Sequence, residues 1–314
     1  MVYQSFLTTI THTLQEEFGD LYQISIQKIT KNNGTILDGL CISKEEDPIS
    51  PTIYLNPYYE RYLDGMPLDD IFTEIMDLYI NHTHIPPIAP EYLNSFSQVQ
   101  DKVIYRLIHT ASNESLLSSV PHIPFLDLSI TFCLFLEEQE SCHMTAIIHD
   151  HLAAAWNVTV QDLYQLACKN TPRLLPVSLK EINQILLDIS KEHLDNPDIQ
   201  LFMEEMLQEQ QASPLYVLSN SSGIHGACAM LYDKVLKNFA DTLEQDLIIL
   251  PSSIHEVLLL PLEESTDFQE LSEMVVQINL AEVPPEDRLS NGIYLYSRSE
   301  DHVTIASSSS SLLS

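Results

Sequence analysis

Residues 247–260 read LIILPSSIHEVLLL, two apolar runs on either side of Pro251-Ser252-Ser253. A short continuous apolar run bounded by turn residues reads as a buried strand, so Leu247–Leu250 and Glu256–Leu260 are predicted strands. A membrane span would need about 18 to 20 clean apolar residues. Here Ser252, Ser253, His255 and Glu256 interrupt the run, and Asp127 interrupts the other long apolar stretch, Ile123–Leu136. No spanning helix and no membrane partner are expected.

Around this strand pair, strand and helix patterns alternate. Leu215–Leu218 reads as a strand, Asn220–Gly226 as a loop, Ala227–Leu231 as a second strand and Asp233–Leu243 as a helix. Thr266-Asp267-Phe268-Gln269 has capping-box spacing and opens a helix through Leu271, Met274, Val275 and Ile278. Ile293–Tyr296 and Val303–Ile305 form a closing hairpin. The alternation predicts a C-terminal α/β lobe with a mixed sheet.

The N-terminal region follows a different plan. Tyr3, Phe6, Leu7, Ile10, Leu14 and Phe18 recur at spacings of three and four, and Gly19 stops the helix. Tyr22, Ile24, Ile26 and Ile29 nearly alternate, Asn33-Gly34 supplies a turn and Ile36–Ile42 returns, which is a hairpin. Thr52–Leu55 adds a third strand, and Asn56–Leu63 and Leu68–Ile80 read as helices. Met1–Phe18 lacks a basic start and a small-residue cleavage site, so it does not read as a secretory signal.

The middle mixes elements. Gln98–Thr110 is predicted helical, Leu126–Leu136 and Met144–Ile148 as strands, and His151–Trp156 and Val160–Lys169 as helices, the last capped by Thr159. Ser178-Leu179-Lys180-Glu181 is another capping-box pattern. The class is α+β: an N-terminal helix-and-hairpin region (1–90), a mixed, largely helical middle (91–212), the C-terminal lobe (213–306) and a Ser-rich tail (307–314) expected to be disordered.

Composition narrows function by exclusion. The 314 residues carry 45 acidic and 14 basic side chains, a formal net charge of −31. Phosphate contacts need Lys and Arg in patches, so direct nucleic-acid binding is not expected. Glycine numbers only 7, and neither GxGxxG nor GxxxxGK[ST] occurs. GxSxG and HExxH are absent too, so no cofactor and no catalytic motif is indicated. The 5 cysteines show no CxxC pair, which suits a reducing cytoplasm and buried structural thiols.

Several segments, taken in order, carry a resemblance: Asn56-Pro57-Tyr58-Tyr59, WNVTVQDLYQLACKN (156–170), YVLSNSSGIHGACAML (216–231), LPSSIHEV (250–257) and LSNGIYLY (289–296). This series resembles a family of uncharacterised proteins, a domain of unknown function common in anaerobic gut bacteria and their mobile elements. The last third of the chain is also similar to a second uncharacterised family of cytoplasmic proteins from Gram-positive bacteria. Both resemblances imply a cytoplasmic bacterial protein, and neither implies an activity.

Two loops concentrate the polar chemistry. On a strand, Ser253 and His255 share one face and Glu256 takes the other. The loop Asn220–Gly226 also follows a strand, so His225 can approach Ser253 and His255. These three are the candidate ligand-binding residues; turn chemistry explains the same residues without a ligand. The pairs His149-Asp150-His151 and His82-Thr83-His84 offer two metal donors each and no spaced third, so no metal is expected. The acidic residues spread along helix faces as solvated surface. Three functions remain: a non-catalytic acidic interaction or regulatory protein with a protein partner, a small-ligand binder or enzyme using the C-terminal pocket, and an acidic DNA-mimic inhibitor.

Overall fold

The computed structural model describes residues 1–44, 52–82, 95–139, 142–185, 187 and 214–306. Those residues form helices and three antiparallel sheets, the α+β class. Contacts divide the chain into two compact units, Met1–Leu93 and Asn94–Ser314. The tail 307–314 and the connector 83–94 lie outside the described residues.

In unit 1, helix α1 (Tyr3–Phe18) buries Phe6, Leu7, Ile10 and Leu14, the apolar stripe of the sequence. Gly19 ends it at φ +69°, a left-handed angle that favours glycine, and returns its N–H to Gln15 O at 3.0 Å. Strands β1 (Tyr22–Thr30) and β2 (Ile36–Lys44) pair without interruption from Tyr22↔Lys44 to Thr30↔Ile36. Asn33 and Gly34 turn the chain between them, both at positive φ. The short strand β3 (Thr52–Tyr54) lines β2, and helices α2 (Asn56–Leu63) and α3 (Leu68–His82) follow. Phe6, Ile10 and Leu14 pack with Leu40, Ile42, Ile71 and Ile75 in one core. One carboxylate enters it. Asp38, 3% exposed, holds Lys28 Nζ at 2.9 Å and accepts the Tyr3 hydroxyl at 2.9 Å. That pairing compensates its loss of water.

Unit 2 opens with a departure from the sequence reading. Within the predicted helix Gln98–Thr110, strand β4 occupies Val103–His109. Both faces carry buried residues, and a short run interrupted only by Arg106 before His109 carries no clear period to separate helix from strand. Val103, Ile104, Tyr105 and Ile108 favour the strand. Strands β5 (His122–Phe125), β6 (Leu128–Gln139) and β7 (Cys142–Ile147) complete a sheet around β6. Two helices follow, α4 (Asp150–Trp156) and α5 (Val160–Leu174). The predicted Thr159 cap is present as a reciprocal capping box with Asp162. Helix α5 is tied to β4 by buried polar contacts. Thr171 Oγ1 accepts the Tyr105 N–H at 3.1 Å and donates to Ala167 O at 2.7 Å, and Asn170 Nδ2 donates to Val103 O at 3.1 Å.

The second sheet contains β8 (Val177–Glu181), β9 (Tyr216–Asn220), β10 (Leu247–Leu250), β11 (Val257–Pro261), β12 (Tyr294–Ser297) and β13 (His302–Ile305), in the order β13-β12-β10-β11-β9-β8. Every pairing is antiparallel, which corrects the expected mixed sheet. Helix α6 (Val235–Leu243) joins β9 to β10, and helix α7 (Phe268–Glu282) joins β11 to β12. Each crossover skips one strand, so the parallel partners never become neighbours. Strand–helix alternation in sequence cannot distinguish that arrangement from a parallel sheet.

Three local readings change. Ser178–Glu181 lies in β8 because five cross-strand pairs with β9 outweigh a capping pattern. Gly226–Leu231 is a buried 3-10 segment, not a strand. Asp267, not Thr266, caps α7, its Oδ1 accepting from Gln269 N and Glu270 N.

Thr171→Val keeps the shape of the side chain and orphans the buried Tyr105 N–H. We expect it to cost about 1–3 kcal/mol in a urea titration followed by Trp156, the single tryptophan. Thr171→Ser should cost less. An unchanged midpoint for Thr171→Val would refute the role of this contact.

Candidate functional site

The β10–β11 connection, residues 251–256, is fixed by the segment leaving α7. Ile254 N donates to Asp287 O at 2.7 Å, Leu289 N to Ser252 O at 3.0 Å and Ser290 N to Pro251 O at 2.8 Å. Ser253 is 4% exposed, and its Oγ accepts the His255 N–H at 3.0 Å. That is a local serine turn, and it directs the hydroxyl to backbone.

The β9 loop reaches the same place. Asn220 organises it, its Oδ1 accepting from Ser222 N and its Nδ2 donating to Ile224 O. Ser219 Oγ donates to His255 O at 2.8 Å. A Cβ on Gly226 would lie 2.1 Å from Ser219 Oγ and 2.2 Å from the His255 carbonyl oxygen. Only glycine permits this approach. His225, at φ +51° and buried, then sets its ring parallel to that of His255, 6.3 Å between centroids and 7° between planes. The structure thus brings His225, Ser253 and His255 into one neighbourhood.

His255 is the one with chemistry. Its Nδ1 lies 3.0 Å from Gly223 O and its Nε2 3.3 Å from Asp287 Oδ1. A carbonyl and a carboxylate accept only, so both ring nitrogens donate and the geometry favours the imidazolium. The hydrogen bond to Asp287 raises its pKa above the ordinary 6.5, with burial opposing and Glu256 and the Gly223 carbonyl adding. One ring therefore links the β9 loop, the β10–β11 loop and the segment before β12.

A second cluster was not read from the sequence. Leu126, at φ +55°, turns the chain between β5 and β6 and presents Asp127. Ser290 Oγ donates to Asp127 Oδ2 at 2.6 Å, the Tyr294 hydroxyl donates to Asp127 Oδ1, and Thr110 N donates to Asp127 O at 3.0 Å. Burial, then the Asp127 contact, raises the Tyr294 pKa, so its hydroxyl stays a donor. His109 Nε2 lies 3.9 Å from Asp127 Oδ2, and His109 Nδ1 lies 2.8 Å from Ser112 Oγ. The partners of Asp127 lie 163 and 167 residues away, beyond any local pattern. The one available signal was the segment LSNGIYLY, which holds both Ser290 and Tyr294.

Other candidates separate. His149 and His151 stack at 5.6 Å at the start of α4, while Thr83 and His84 lie outside the described residues. Among the described residues no group of three or more His, Cys, Asp or Glu could hold a metal ion. Burial pushes the Cys133 thiol up to about 11 and Cys228 up to about 12, so both are protonated and inert near neutral pH.

Fold and clusters define an α+β protein whose long-range polar groups join loops to sheets. The chain belongs to DUF5688, a family of unknown function whose model matches residues 3–298. No curated protein and no solved structure matches it.

A raised folded pKa means that the His255 contribution to stability is fully present below about pH 6.5, the unpartnered value. It is lost as pH rises through the folded value. Asp287→Asn should lower the His255 pKa, read by NMR titration, and flatten that loss. An unmoved His255 titration would refute the Asp287 contact. Gly226→Ala should destabilise unit 2, visible as a lower urea midpoint.

Proposed function

We propose that the chain is a soluble, cytoplasmic, non-catalytic acidic protein that engages a protein partner. One observation carries this reading: His255, Ser253 and Asp127 of unit 2 are each held by partners within the chain. His255 donates from both nitrogens to protein acceptors, Ser253 is held by its own turn, and Asp127 accepts two hydroxyls. A general base needs a free lone pair, and a nucleophile needs such a base. A net charge of −31 supplies what a binding protein uses, a field that speeds encounter with basic partners and repels nucleic acid. Among the described residues no helix is long and apolar enough to cross a membrane.

A second reading, an enzyme or small-ligand site in unit 2, draws on Ser112, His109 and Asp127. Ser112 Oγ is within hydrogen-bond reach of His109, which is the first requirement of a hydrolase triad. The next link is open, because 3.9 Å between His109 and Asp127 is too long for a hydrogen bond.

Two measurements decide between them. A thermal-shift screen against metals, nucleotides and common metabolites should be flat, whereas a ligand at about 100 times its Kd would add about 2.7 kcal/mol. An alkyl fluorophosphonate should leave Ser112 unlabelled. A thermal hit lost in His255→Ala, or Ser112 labelling lost in His109→Ala, would overturn the non-catalytic reading.

A further inference from the structure

Strand β1 is an edge of its sheet: it pairs with β2, and among the described residues no strand takes its other side. The direction of its backbone groups follows from the register. Lys31 N donates to Thr35 O at 2.7 Å at the hairpin end, and hydrogen-bonded pairs alternate along an antiparallel ladder. Gln23, Ser25, Gln27 and Ile29 therefore bond β2, and Tyr22, Ile24, Ile26, Lys28 and Thr30 point their N–H and C=O outward. Two contacts agree with this parity. Asp38, opposite Lys28, gives its carbonyl to Leu55 N on the far side of β2. Gln15 Nε2 reaches down from α1 and donates to the outward carbonyl of Tyr22 at 3.1 Å.

The edge has little of the usual protection. Nine residues run without proline or bulge, and the one charged side chain, Lys28, is engaged by Asp38. An open groove of about 510 Å³ runs along it, between α1 and the outward side of Ile24 and Ile26. Leu7 contributes apolar surface, and Thr8 and Thr11 form the wall. Both threonine hydroxyls bond the carbonyls of their own helix, at 2.9 and 2.8 Å, so they make little polar demand on an occupant. His12 and Gln15 complete the α1 wall, His12 Nδ1 lies 3.3 Å from Glu16 Oε2, and α1 contains no Lys or Arg.

We infer that this groove is a strand-addition site for an extended, basic segment of a partner protein. The segment adds to β1 through the backbone of Ile24 and Ile26. Small apolar side chains at alternate positions enter beside Leu7, Thr8 and Thr11, and basic side chains meet the Glu16 carboxylate beside His12. The inference rests on the interaction reading above and names where and how the partner is held.

The test uses the full chain and a synthetic linear peptide, Lys-Val-Lys-Ala-Lys-Val-Lys, with two controls. One control replaces every Lys by Glu, and the other keeps the Lys residues and replaces the apolar positions by Pro. Amide hydrogen exchange is read by NMR. In the free protein, the amides of Ser25 and Gln27 should be protected and those of Ile24 and Ile26 should exchange fast. With the basic peptide at about ten times its Kd, Ile24 and Ile26 should slow about tenfold. Neither control should produce this. Thr8→Trp, a substitution at an exposed position, should abolish the protection and leave thermal stability unchanged.

Equal binding of the Pro peptide with no change at Ile24 and Ile26 would overturn the site. It would leave the interaction reading standing, because charge alone would then account for binding. Failure of the basic peptide to bind would overturn the site as well. Ile24 and Ile26 already protected in the free protein, with a dimer mass by light scattering, would assign the edge to a second copy and likewise overturn it. Ser112 labelling by the fluorophosphonate is the separate result that would remove the underlying reading.

Discussion

Strands β10 and β11 are apolar on both faces, and that demand organises unit 2. Ile248, Leu250, Leu258 and Leu260 point one way and pack under α7, through Phe268, Leu271 and Val275. Leu247, Ile249, Val257 and Leu259 point the other way and are fully buried. A sheet wet on one face would leave about half of these side chains in water, at about 1.5–3 kcal/mol each. The 3-10 segment Gly226–Leu231 helps to close the second face, with Ala227, Cys228 and Ala229 at 0% exposure. It touches the first sheet as well: the Tyr232 ring that follows it meets Tyr105 of β4, and the Tyr232 hydroxyl donates to Leu175 O. The two sheets of unit 2 are therefore one packing problem.

The polar clusters occupy the joints that this packing creates. Crossovers that skip a strand bring distant loops to the same end of the sheet. The β9 loop, the β10–β11 loop and the segment after α7 meet at His255, and the β5–β6 turn meets the segment before β12 at Asp127. At such joints backbone groups leave the ladder and need other partners. The Ser219 hydroxyl meeting the His255 carbonyl, and the Ser253 oxygen meeting the His255 N–H, are answers of that kind. An imidazole ring between a carbonyl and a carboxylate does more, since it fixes the angle between two loops with directional bonds, charge-assisted when the ring is protonated.

How far the sequence discloses this depends on how local each signal is. In unit 1, α1, the hairpin, β3, α2 and α3 were legible to within a few residues, because amphipathic stripes and turn residues act over one or two turns of chain. Val103–His109 was not legible, because burial on both sides erases the period. Ala227–Leu231 was not legible either: a small apolar run fits a strand equally well, and only the close approach at Gly226 decides otherwise. The neighbourhood of His225, Ser253 and His255 could be anticipated from two loops following strands of one sheet. Asp287 and Asp127 could not, since nothing local to an aspartate marks a partner on a distant element of the chain.

Hydrogen-bonding capacity also separates the two units. In unit 2 the conspicuous side chains have partners within the chain, and a group already held in that way has no strong interaction left for a ligand unless the fold gives way. In unit 1 the unmet capacity lies in the backbone, in the outward N–H and C=O groups of Ile24 and Ile26 beside an apolar groove. Backbone edges recognise extended chain, whatever its sequence, and neighbouring side chains then select among chains. A histidine or serine motif announces itself in a sequence, but an open edge does not, because it depends on which strands pair. For a chain with few glycines, many carboxylates and no catalytic signature, the recognition chemistry is better sought in the geometry of the main chain than in any cluster of reactive side chains.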